Sequence, residues 1–141
     1  MYKKILIPTD GSGYADEEID RATKLIDEDG EIIILSVAPK LSTSAFQRRK
    51  DIKKLNKTFI EEAEDAVKKM ESKFPENYNV KPMVRCGFPA ETITNTAEEE
   101  DVDLIVISSS GKSGIHKFVI GSVAEKVLKL SEHDVLLVHN K

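Results

Sequence analysis

Four short runs of unbroken, mostly β-branched apolar residues punctuate this chain: Ile5-Leu6-Ile7, Ile32-Ile33-Ile34-Leu35, Leu104-Ile105-Val106-Ile107 and Val135-Leu136-Leu137-Val138. A strand with one wet face alternates polar and apolar residues. A strand buried on both faces does not, and double burial is typical of parallel sheets. Parallel neighbours need long crossovers, and the stretches between the runs supply helical patterns. A fifth run, Val80 to Cys86, alternates and contains Pro82, which places it at a sheet edge. The order of elements therefore predicts an α/β fold, a three-layer sandwich with right-handed crossovers.

The helical stretches each carry one apolar face. Tyr14 to Asp27 aligns Ala15, Ile19, Ala22, Leu25 and Ile26. Ile52 to Phe74 aligns Ile52, Leu55, Phe59, Ala63, Ala66, Val67 and Met70. Pro89 to Glu100 opens with a proline and has Glu91 in its first turn, a helix-start signature. Val119 to Leu130 aligns Val123, Val127 and Leu130. Pro39 to Lys50 is the least regular segment, either a surface loop leading into a helix or a flap beside a ligand.

Bulk properties exclude several classes. The 141 residues suit one domain, 1–141, with one core. A formal net charge of −4 argues against general nucleic-acid binding, which needs a broad basic face. No apolar run approaches a membrane span. The opening residues are broken by Pro8 too soon for a secretory signal. Cys86 is the only cysteine, so no internal disulfide is expected, in keeping with a cytoplasmic protein. Its thiol is expected to be buried or half-buried, with no redox role.

Open parallel sheets bind ligands outside the carboxyl ends of their strands, where the strand order reverses. Two loops there gather glycines and small hydroxyl residues: Pro8-Thr9-Asp10-Gly11-Ser12-Gly13 and Ser108-Ser109-Ser110-Gly111-Lys112-Ser113-Gly114. Strand, small-residue loop and helix start together present backbone N–H groups to an anion. Between Asp103 and Glu125 there is no acid, where about four would occur by chance, so a negative ligand such as phosphate is expected.

Familiar motifs fit poorly. A P-loop ending at Gly111-Lys112-Ser113 needs a glycine where Val106 stands, inside the strand. A dinucleotide fingerprint from Gly11-Ser12-Gly13 would put Asp16 at its third glycine. A phosphorylated receiver with Asp10 as acceptor wants an acid where Cys86 stands.

Over nearly all its length the chain resembles the universal stress protein family. Lys4-Ile5-Leu6-Ile7-Pro8-Thr9-Asp10-Gly11-Ser12 is similar to that family's first strand and ligand loop. Gly87-Phe88-Pro89-Ala90-Glu91-Thr92-Ile93 resembles its G-x-P-A-x-x-I segment, and Asp101-Val102-Asp103-Leu104-Ile105-Val106 its D-x-D-L-I-V start to strand 4. Nucleotide-binding members carry G-x-x-G, nine residues, then G-S/T. Here Gly111 and Gly121-Ser122 match, and Ser108 replaces the first glycine.

The resemblance implies a five-stranded parallel sheet of order 3-2-1-4-5, like that of the adenine nucleotide alpha hydrolases. It also implies ATP as ligand, with a divalent ion (Mg or Mn) riding on the phosphates, at most slow hydrolysis, and a homodimer formed through the last strand. It places Pro8, Thr9, Asp10, Val37, Ile107, Ser108, Gly111, Gly121, Ser122 and Val123 at the nucleotide. Asp10 would meet the nucleoside, or else cap the first helix. Val37 and Ile107 would wall the adenine, or else belong to the core. Gly111, Gly121 and Ser122 would meet the phosphates, or else serve as turn and cap residues, with Lys112, His116 and Lys117 as accessories. Without a glycine at 108, the alternative is a nucleotide-free interaction protein.

Overall fold

The computed structural model describes residues 1–12, 14–41, 49–109 and 121–139. Among the described residues nine elements alternate: β1 (Tyr2–Pro8), α1 (Ala15–Leu25), β2 (Ile26–Ala38), α2 (Arg49–Glu71), β3 (Asn79–Cys86), α3 (Pro89–Glu99), β4 (Leu104–Ser108), α4 (Ser122–Leu130) and β5 (Asp134–Val138). The five strands form one parallel sheet in the order β3-β2-β1-β4-β5. The order expected from the family resemblance is the order found. Because β2 and β3 lie on one side of β1 while β4 and β5 lie on the other, the strand order reverses between β1 and β4.

The first three apolar runs are buried because both sheet faces are covered, whereas Val135, Leu136 and Leu137 of the edge strand β5 are half-buried. Ile5, Ile7, Ile32, Ile34, Leu104 and Val106 point into one core cluster, with Ala15, Ile19, Ala22, Val67 and Met70 of α1 and α2. Leu6, Ile33, Leu35, Ile105 and Ile107 point into the other, with Ala90, Ile93 and Ala97 of α3 and Ala124 and Val127 of α4. Alternation along each strand divides its side chains between the two clusters.

Three local devices fix the register. Asp103 Oδ2 accepts from the backbone N–H groups of Lys3 and Lys4, both at 3.0 Å, and its own N–H donates to the Lys4 carbonyl. This clamp sets the start of β4 beside β1. At the end of α3, the N–H of Val102 donates to Ala97 O and that of Asp101 to Glu98 O, with Asp101 at φ 53°. That is the two-bond closure of a helix through a left-handed residue. At the start of α3, Gly87 has φ 147°, and a Cβ there would lie 2.6 Å from Thr92 Oγ1.

Several elements depart from the sequence-based expectation. Ile26 and Asp27, expected at the end of the first helix, begin a strand of 13 residues instead. Ile26 pairs with Tyr2, and the register shifts between Tyr2 and Lys4 before regular pairing starts at Lys4–Glu31. Leu55, Val123 and Leu130, expected on buried helix faces, are 43%, 37% and 52% exposed. Leu55 lies in the first half of α2, Val123 near the start of α4 and Leu130 at its last residue. Cys86 is exposed, because β3 is an edge strand and Cys86 is its last residue.

Candidate functional site

The loop leaving β1 is held by short bonds. The Thr9 N–H donates to Leu35 O at 2.8 Å, so the chain stays beside β2 one residue past the strand. The Ser12 N–H donates to Asp10 Oδ1 at 2.9 Å, and the Gly11 N–H to Thr9 Oγ1 at 3.3 Å. Gly11 turns the chain at φ 83°, a left-handed conformation that suits glycine. Asp10 therefore closes its own turn. It does not cap α1, whose cap position is Tyr14 with no side-chain bond. The capping alternative for Asp10 is thus removed, and its carboxylate stands exposed at the carboxyl end of β1.

The second loop starts where β4 ends. Ser108 lies in register with Val138 of β5, and the Ser109 N–H donates to Val138 O at 2.8 Å. The Gly121 N–H donates to Ser109 O at 2.6 Å, which brings the start of α4 back to the end of β4. Gly121 is the N-cap of α4, extended at φ −65° and ψ 153°, and has no side chain to cap with. The first amides of α4 therefore have no side-chain cap. A helix start carries about half a positive charge and free N–H donors, which is a place for an anion. Ser122 and Val123, the first two helical residues, are exposed there.

Thus Pro8, Thr9, Asp10, Ser108, Gly121, Ser122 and Val123 all lie at the carboxyl end of the sheet or at the helix start beside it. Ile107 is 5% exposed and belongs to the core cluster under α3 and α4, while Val37 packs against that cluster and is half-buried. Gly111, with Gly13, Lys112, Ser113, His116, Lys117 and residues 42–48, lies outside the described residues. The side chain of Asn56 in α2 exchanges hydrogen bonds with the N–H and carbonyl of Leu41, which ties the chain just after β2 to that helix. Among the described residues, no three His, Cys, Asp or Glu side chains come together to hold a metal ion.

Two buried polar groups at this end were not singled out by the sequence. Ser109 is 1% exposed, and its Oγ has no partner among the described residues. Glu18 of α1 is 3% exposed, and its Oε2 also lacks a partner. Burial first, then the charges of Asp10 and Glu17, hold the Glu18 carboxyl well above its ordinary value of 4.5. Its spacing from Ala15, Ile19 and Ala22 puts it on the core face of α1, and that spacing was the available signal.

The sequence matches the model of the Universal stress protein family over residues 1–139. The chain belongs to the universal stress protein family. It is 38% identical to Universal stress protein MJ0531 of Methanocaldococcus jannaschii, across 98% of this chain and 82% of that one. The solved structure of MJ0577 from the same organism superposes with a TM-score of 0.85 at 31% identity, covering 100% of this chain and 98% of that one. A universal stress protein solved in complex with cAMP shares the fold at a TM-score of 0.59 and 24% identity, over 98% of this chain and 97% of that one. β1 and β4, the strands from which the two candidate loops leave, are parallel neighbours at the point of strand reversal.

Proposed function

We propose that this universal stress protein binds ATP between the loops after β1 and β4 and acts as a nucleotide-dependent switch or stress-response module, with at most slow hydrolysis. The observation that carries the reading is the start of α4. Gly121, with no side chain, caps the helix beside Ser109 at the end of β4, and its amides stand without a side-chain cap. The buried, unpartnered Ser109 hydroxyl beside it fits a site completed by a polar ligand. The spacing from Gly111 to Gly121-Ser122 adds to this, as does the acid-free segment between them.

Energetics require several contacts at once. A helix terminus contributes about 0.3–1 kcal/mol per charge, rising to about 2 when partly buried. Micromolar affinity needs about 8 kcal/mol. Gly111, Gly121, Ser122 and Val123 would hold the phosphates, Pro8, Thr9 and Asp10 the nucleoside, and Val37 and Ile107 the base, with Ser108 beside the ribose or phosphates. Any Mg or Mn would be carried by the phosphates, which bind such ions without a protein cage. The proposal includes a single domain, a cytoplasmic location and a homodimer through the exposed edge of β5.

The test is to heat the purified protein and examine the supernatant for adenine absorbance, then to titrate ATP and cAMP separately by calorimetry. ATP binding at micromolar levels supports the reading. Turnover of many ATP per minute overturns the switch in favour of an enzyme. The substitution of Ser108 favours one rival, a nucleotide-free interaction protein. Ser108→Gly is expected to tighten ATP several-fold if the serine side chain crowds the ligand. Light scattering at high micromolar concentration checks the dimer, and a monomer there counts against it.

A further inference from the structure

Glu18 is an acid where the fold calls for an apolar group. Its neighbours on the inner face of α1 are Ala15, Ile19 and Ala22, all packed against the sheet. An ionised carboxylate in such a place is strongly disfavoured unless it is paired. No pairing cation acts on it. The charges that bear on it, Asp10 and Glu17, are both negative.

Among the described residues, the surrounding elements direct no other charge at it. On this face β4 presents Leu104, Val106 and Ser108, and β5 presents Leu136 and Val138. From β1 and β2 come Ile5, Ile7, Ile32 and Ile34, and from α2 Val67 and Met70. The nearby Asp16 is engaged outward with Lys73 of α2 at 3.3 Å, and Lys73 is thereby taken up. His139 is exposed one residue beyond β5, on the side opposite Val138 by strand alternation.

Position matters as much as burial. Glu18 is the fourth residue of α1, and its N–H donates to Tyr14 O. Helical side chains lean toward the helix N-terminus, so the Glu18 carboxyl lies over the turn that leads back to Gly11 and Asp10. Burial of Glu18 and then the negative charge of Asp10 both disfavour its ionised form, so the proton resides on Glu18.

Resting on the nucleotide reading above, we infer that Glu18 is a proton-holding positioning residue of this site. With its carboxyl neutral, the loop carrying Asp10 closes against the start of α1. Ionisation of Glu18 repels Asp10 outward and loosens that loop. Ligand affinity at the site is therefore linked to one proton that the ligand never touches. No group on the ligand changes bond or oxidation state; the proton passes to solvent.

The experiment is calorimetric titration of ATP into the wild-type protein, Glu18→Gln and Asp10→Asn, from about pH 5 to about pH 9, the range over which buried glutamates ionise. Glutamine copies the neutral acid in shape, so the first variant is expected to fold and bind. ATP protonates over part of this range in every titration, so the variants act as internal controls. The expected result is that wild-type affinity falls relative to Glu18→Gln as pH rises, by up to about tenfold per pH unit once Glu18 ionises. Asp10→Asn should bind more weakly throughout and show a reduced pH dependence, because the repelling charge is gone. NMR of carboxyl-13C glutamate, assigned by Glu18→Gln, should show one carboxyl titrating above the rest and moving further upward when ATP is added. ATP binding with the same pH dependence in wild type and Glu18→Gln overturns this inference and leaves the nucleotide reading standing. Absence of ATP binding in all three proteins overturns both.

Discussion

Gly87 shows how one missing side chain sets a junction. Its φ of 147° and the 2.6 Å approach to Thr92 Oγ1 leave no room for a Cβ. Gly87→Ala is therefore expected to destabilise the protein by about 1–3 kcal/mol, read as a lowered midpoint in urea denaturation. Glu18 has the opposite character: it is a residue whose replacement should help. Its carboxyl is raised in the folded state, so the native protein binds more protons than the unfolded chain once pH exceeds the ordinary value of 4.5. Stability then falls as pH rises from that value to the folded one, and stays low beyond it. Glu18→Gln should abolish this loss. Thermal melts of the two proteins should nearly coincide near pH 4 and separate as pH rises, by about 1.4 kcal/mol for each unit of upward displacement. The sequence hid this residue for a physical reason. Asp16, Glu17 and Glu18 form an acidic first turn, which complements the helix dipole and draws no notice, although only Glu18 faces inward.

At the scale of elements, the most legible features were those with a single physical cause. Ile32 to Leu35 and Leu104 to Ile107 are apolar throughout because helices cover both faces of the sheet. The border between α1 and β2 was misread because Leu25-Ile26 satisfies a helical face and a strand equally. Only the pairing of Ile26 with Tyr2, a contact distant in sequence, decides it. Leu130 was misplaced because periodicity gives the direction of a side chain and not how far the sheet extends beneath it. Of the candidate site, Gly121-Ser122 was singled out through its match to the family's glycine spacing. The close bond from Gly121 N–H to Ser109 O was not, since it depends on where the chain returns. The end of α3 offers a clean test at this scale. Asp101 sits at φ 53° in a closure that glycine adopts without penalty. Asp101→Gly is expected to leave the fold intact and to raise stability by about 0.5–1 kcal/mol, measured by chemical denaturation. Asp103, which holds the Lys3 and Lys4 amides, is the contrasting position. Its replacement by alanine should cost about 1–2 kcal/mol, reduced by its exposure to solvent.

The whole molecule is asymmetric about β1. On one side β2 and β3 pair over long registers, and on the other β4 and β5 are strands of 5 residues each. The two edges also differ. Outer β3 carries Pro82, which lacks an N–H, and an exposed Lys81, both of which discourage further pairing. Outer β5 has no proline and offers half-buried Val135, Leu136 and Leu137. The β5 edge is thus the one more open to a further strand, and the β3 edge the one that discourages it.

The direct passage of α1 into β2 has a consequence for the order of events in folding. With no residue between Leu25 and Ile26, β1, α1 and β2 form one compact stretch of chain whose strand pairing closes over a short span. Short closures lose little chain entropy and tend to organise the transition state. Ile33→Val should therefore slow refolding, whereas Val138→Ala, in the strand added last, should mainly hasten unfolding. Stopped-flow kinetics in urea would separate the two arms. Equal effects on both rates from the two substitutions would mean that the sheet assembles as a whole and has no early half.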